Sequence, residues 1–87
     1  MIRTVVAVFD SASGLYGTPF NVPSIGVATR SFQDEVRRGG DDNQMSKHPG
    51  DFSLFTLGTF DDQTGRFESL PVPELVVRAS SCVGSEE

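Results

Sequence analysis

Eighty-seven residues make one domain, and a chain of this size buries only roughly 60–65% of the surface its unfolded form exposes. With 37% hydrophobic residues, no Trp and one Cys, it has neither a disulfide staple nor a large core, so a homodimer is the expected way to add buried apolar area. Twelve acids against seven Lys and Arg give a net charge of −5, which excludes a general phosphate-backbone binder unless the few cations gather on one face.

The lone Cys82 has no intramolecular disulfide partner, so the chain reads as made for a reducing compartment. The N-terminal residues lack a signal-peptide pattern, and no stretch approaches the roughly 20 apolar residues of a membrane span. A soluble, intracellular protein with no membrane partner is expected.

Residues 4–10, TVVAVFD, are β-branched and aromatic and predict a first strand. Val5, Ala7 and Phe9 fall on one face and Val6 and Val8 on the other. A strand apolar on both sides belongs in the middle of a sheet, covered by a helix on one side and by something else, such as a second subunit, on the other. Residues 11–23, SASGLYGTPFNVP, carry two Gly and two Pro and predict a loop. Leu15, Tyr16 and Phe20 either pack that loop onto the core or present aromatic rings for stacking single-stranded nucleic acid.

Ser24 is placed to cap a helix running to about Arg38. Ile25, Ala28, Phe32 and Val36 make its apolar stripe, Arg37 and Arg38 complement the dipole in the last turn, and Gly39-Gly40 ends it. Arg30 and Arg37 share the exposed face with Asp34 between them, so that face is either self-paired and solvated or a nucleic-acid contact. Residues 39–47, GGDDNQMSK, predict a mobile surface loop.

The stretch 48–67, HPGDFSLFTLGTFDDQTGRF, holds four of the seven Phe and predicts the central hairpin. Phe52, Leu54, Thr56, Gly58 and Phe60 alternate onto one face, and Phe55 and Leu57 onto the other. Residues 61–65 form the turn, with Gly65 in the left-handed conformation of a type I turn plus bulge. Gly58 marks either a bulge or a close approach by a bulky neighbour. Pro71 and Pro73 break the returning strand, and residues 74–79 form a last segment, as an edge strand or a short helix.

The expected architecture is α+β, a small, mainly antiparallel sheet of three to four strands with one helix packed on one face. It occupies residues 1–80 as a single domain, followed by a flexible acidic tail at 81–87.

The catalytic inventory is thin. A Cys-His pair would need Cys82 beside His48, and no spacing suggests it. Asp61 and Asp62, with Asp10 from a neighbouring strand end, could meet as hard-cation ligands, but the calcium-loop pattern is missing and turn aspartates are ordinary. No phosphate-cradling glycine loop is present. No catalytic residue, metal site or cofactor is expected; the chain reads as a binding protein and not an enzyme.

Three stretches, AVFDSASGLYGTPF, GVATRSFQDEV and HPGDFSLFTLGTFDDQTG, together resemble the small nonstructural protein of gokushovirus-like Microviridae, the small icosahedral single-stranded DNA phages. The resemblance implies a nonstructural accessory protein of the host cytoplasm, serving replication or packaging of the viral DNA, with DNA binding as one route. Among the residues that match the family pattern, Arg30 and His48 are those that folding explains least. A nucleic-acid site would then use Arg30, Arg37, Arg38, Lys47 and His48 with Tyr16 or Phe20 for stacking. The alternative is an acidic, dimeric interaction module that contacts a viral replication or capsid protein or a host factor.

Overall fold

The computed structural model describes residues 1–83. Its elements run β1 (Ile2–Asp10), β2 (Leu15–Tyr16), β3 (Phe20–Val22), α1 (Ile25–Arg38), α2 (Gln44–Lys47), β4 (Phe52–Asp61) and β5 (Arg66–Arg78), with single 3-10 turns at Pro49–Asp51 and Ala79–Ser81. All the strands join one antiparallel, five-stranded sheet, ordered β2-β1-β4-β5 with β3 also on β1. The fold is α+β, as expected, though dominated by the sheet.

β1 lies inside the sheet, as its two-sided apolar pattern requires. Val6 and Val8 turn toward α1, where Val6 joins Val22, Ala28, Phe32, Val36, Leu54, Ala79 and Cys82 in the core, with Val8 packed against it. α1 forms because its apolar residues recur at spacings of three and four and because the Ser24 side-chain oxygen accepts the Val27 N–H at 3.2 Å. Ala28, Phe32 and Val36 are buried, whereas Ile25 is only partly covered at the helix entrance. Each fully buried aliphatic or aromatic side chain contributes roughly 1.5–3 kcal/mol, so a core this small rests on few residues.

Several local expectations need correction. Residues 11–23 are not all loop. Leu15–Tyr16 and Phe20–Val22 are short strands, with Phe9 opposite Tyr16 and Thr4 opposite Val22. They raise the strand count to five because the edge of β1 would otherwise leave its backbone groups unpaired. Residues 39–47 are also not a plain loop. Asn43 is buried, its Oδ1 accepts the Ser46 N–H at 3.2 Å and its Nδ2 donates to the Glu35 carbonyl at 2.7 Å, so one side chain starts α2 and ties it to α1.

The alternation along β4 holds only to Thr56. The register slips beyond it: Val6 pairs with Thr56 but Val5 pairs with Gly58, so Leu57 is an extra residue. The bulge takes Gly58 and Phe60 off the face of Phe52 and Leu54, where alternation predicts them, and puts them on the face of Phe55. β5 likewise does not end at its prolines. Gly58 pairs with Ser69 and Thr56 with Glu74, so residues 70–73 bow outward opposite the single residue Leu57. Pro71 and Pro73 sit there on an edge strand, where a missing N–H costs nothing to the ladder. The hairpin turn is as expected: Gly65 has φ 76° and donates to the Asp61 carbonyl at 2.8 Å.

The body extends past residue 80. Cys82 is fully buried in the core, and the Arg37 Nε donates to its carbonyl at 2.7 Å. Within the expected tail 81–87, residues 84–87 lie outside the described residues.

Candidate functional site

The helix covers one side of the sheet, and the other side is the candidate site. Among the described residues its sheet positions follow from the register. β1 contributes Arg3, Val5, Ala7 and Phe9, β4 contributes Ser53, Phe55 and, past the bulge, Phe60, and β5 contributes Phe67, Leu75 and Arg78, with Tyr16 opposite Phe9. Ring geometry agrees. Phe9 and Tyr16 lie 4.7 Å apart between centroids, and Phe55 stands edge-on to both, at 5.9 Å from Phe9 and 5.6 Å from Tyr16. At the other end Phe60 and Phe67 pair at 4.8 Å.

Two open cavities lie along this side. One, of about 550 Å³, is bounded by Phe9, Asp51, Ser53, Phe55, Leu75 and Arg78. The second, of about 280 Å³, is bounded by Val5, Phe20, Leu57, Phe67 and Ser69. Both are apolar grooves with a few polar groups, a form suited to binding flat or apolar groups.

The residues singled out from sequence do not meet. Arg30 is exposed on α1 and makes no ion pair among the described residues. Arg37 is engaged with the Cys82 carbonyl. Arg38 forks onto the Glu35 carboxylate at 3.0–3.2 Å and reaches Asp42 at 3.6 Å. The hydrogen bond to Glu35 raises its pKa further above the ordinary value. Lys47 ends α2, with its Nζ 3.4 Å from the Asp41 carbonyl. His48 is exposed, and its contribution to the turn is through backbone: its N–H donates to the Gln44 carbonyl and its carbonyl accepts the Asp51 N–H.

These five lie on α1, α2 and the turn after them, whereas Tyr16 is on the opposite side of the sheet. Phe20 lines the second cavity, away from the cations of α1. A single surface made of all seven does not exist, because α1 packs on the Val6 and Leu54 side and Tyr16 belongs to the Phe9 side. Cys82 is buried and His48 exposed, so they form no catalytic pair. Asp10 pairs with Phe52 and Asp61 with Ile2, at opposite ends of β1, so they share no site. Among the described residues no group of three or more potential ligands is placed to hold a metal ion. Among the described residues no helix is long and apolar enough to cross a membrane.

Sequence reasoning missed Phe9, Phe55, Phe60, Phe67, Arg3 and Arg78 as members of one surface. The two-sided apolar pattern of β1 and β4 was the available signal for the uncovered face. Arg78 was not readable. Leu54 pairs with Val77 but Phe55 with Leu75, so Val76 is inserted and Arg78 falls on the same face as Leu75, against simple alternation.

The family model described as Phage ORF5 protein matches residues 3–82. No curated protein matches, and no solved structure matches.

Proposed function

The chain belongs to the Phage ORF5 protein family, and on that premise we propose that it is a nonstructural accessory protein of a gokushovirus-like single-stranded DNA phage. It acts in the host cytoplasm on replication or packaging of the genome, by binding single-stranded DNA and without catalysis. The observation that supports binding is the sheet that, among the described residues, the helix covers on one side, with Phe9, Tyr16, Phe55, Phe60 and Phe67 on the other. Aromatic rings on a firm sheet are a sequence-tolerant platform for bases.

The test is a fluorescence-anisotropy titration of a labelled single-stranded oligonucleotide, repeated across salt concentrations with a duplex control. Salt-dependent binding that prefers the single strand is expected. Absence of binding at low salt overturns the DNA reading.

A second reading is favoured by the apolar exposure itself. Phe67, Leu15 and Val72 are 70, 68 and 66% exposed, and acidic surfaces with such residues suit a homodimer or a viral or host protein partner. Sedimentation of the purified chain and a pull-down from infected cells test it. A monomer that recovers no viral or host protein counts against it.

A further inference from the structure

We infer that the uncovered sheet face is itself the nucleic-acid site, taking a short single-stranded segment along the β1–β4–β5 surface with its bases on Tyr16, Phe55 and the Phe60–Phe67 pair and its phosphates at Arg3 and Arg78. The inference rests on the DNA reading above and replaces the cations of α1 as the contact.

Charge segregation carries it. The chain is acidic overall, with twelve Asp and Glu, yet the register puts none of the ten described ones on this face. Asp10 pairs with Phe52 and Glu74 with Thr56, on the helix side. Asp61 and Glu68 line a small cavity with Ile2 and Arg66, again on the side away from Phe60. Asp34, Glu35, Asp41 and Asp42 belong to α1 and the turn after it, and Asp62 to the hairpin tip. Asp51, in the turn before β4 and not at a sheet position, is the one described carboxylate that lines the first cavity.

What remains charged among the sheet positions of this face is Arg3 and Arg78. Arg3 stands opposite Phe60, with its Nε held by the Asn21 Oδ1 at 2.6 Å. Arg78 lies in register with Ser53, which pairs with Phe9, and borders the first cavity. Arg3 and Phe9 are six residues apart on one strand, so the two cations are separated by about 20 Å along the sheet. The aromatic groups lie beside them, Phe60 and Phe67 at the Arg3 end and Phe9, Tyr16 and Phe55 toward the Arg78 end. A strip of that length, with a cation and aromatic rings at each end, matches an anionic chain of stacking units and falls at the short end of known single-strand sites, roughly 4–16 nucleotides. A second copy of this chain would be matched less well, since the sheet positions of the face offer no carboxylate to neutralise Arg3 or Arg78.

The chain has one Tyr and no Trp, so its intrinsic emission reports Tyr16 alone. Unlabelled oligothymidylate is titrated into the full chain while that emission is followed, and anisotropy of a labelled oligonucleotide is measured in parallel for three double variants. The expected result is saturable quenching of Tyr16, at least tenfold weaker binding for Tyr16→Ala with Phe55→Ala, and a salt slope shallower by about 1.4 for Arg3→Gln with Arg78→Gln, since each lost contact to a single strand contributes about 0.7. Arg30→Gln with Arg38→Gln should change affinity less than twofold.

Binding by the unaltered chain with no change in Tyr16 emission overturns the inference and leaves the DNA reading standing; the quenching readout does not depend on the variants folding. Loss of binding only in the α1 variant also overturns it. No binding by the unaltered chain overturns both. Tyr16 emission that depends on protein concentration and not on DNA identifies a second copy as the occupant and overturns the inference.

Discussion

Gly58 faces Ser69 across β4 and β5 so closely that a Cβ on Gly58 would stand 2.9 Å from the Ser69 Cα and inside the van der Waals envelope of the Glu68 carbonyl oxygen. Both neighbours are backbone and neither can swing away. Gly58→Ala should therefore open the bulge or force β5 off β4, at a cost of roughly 2–4 kcal/mol. A urea melt with a midpoint within error of the unaltered protein would contradict this.

Leu54 is buried between the sheet and α1, 1% exposed, and is among the largest side chains so enclosed. Leu54→Ala removes apolar contacts and leaves a cavity, for a loss of about 2–5 kcal/mol. In a domain of this size that is a large share of the total stability. Phe67→Ala, at a ring 70% exposed, should cost well under half as much. Thermal melts of the two variants side by side give the comparison.

Asn43 joins two helices with one side chain, capping α2 and bonding the Glu35 carbonyl at 2.7 Å. Asn43→Ala should lose roughly 1–2 kcal/mol, and the amide protons of residues 44–47 should exchange faster than in the unaltered chain. Unchanged exchange in that segment would mean that α2 is held by packing alone.

Asp61 is held below its ordinary pKa, first by the Gln63 N–H on its carboxylate, at 2.9 Å, and further by Thr64 and the N-terminal charge. A lowered folded-state pKa contributes stability that is present above the unfolded value and lost as pH falls through the folded one. Asp61→Asn should flatten the acid limb of a stability profile. The same limb in the variant and the unaltered chain would contradict the assignment.

Burial pushes the Cys82 thiol above its ordinary pKa, with the Arg37 charge pulling the other way. A raised folded-state pKa gives stability that is fully present below the unfolded value and is lost as pH rises through the folded one. Native protein should react with an aromatic disulfide reagent far more slowly than urea-unfolded protein, and Cys82→Ala should remove the alkaline decline at a cost of about 1 kcal/mol. Equal reaction rates in the two states would show that the thiol is open.

Much of this was legible beforehand because it is local. The Ser24 cap, the spacing of Ala28, Phe32 and Val36, and the turn at Gly65 each depend on a few neighbouring residues, and α1 and the hairpin follow from them. The apolar residues on both sides of β1 also indicated a central strand with one face requiring its own partner. Seven residues proposed as a nucleic-acid surface from the same sequence did not come together, because proximity between α1 and Tyr16 depends on which side of the sheet the helix covers.

The sequence alone therefore determined the strongest elements, an acidic composition and a small core. Tertiary structure decided which residues share a face. A one-residue bulge at Leu57 puts Phe60 beside Phe55's side of the sheet, and another at Val76 puts Arg78 there too. The physical reason is that strand side chains repeat every two residues, so a single extra residue reverses every face beyond it. Such an insertion exists only once two strands have paired, and the clearing of carboxylates from the sheet positions of the open face emerges with it.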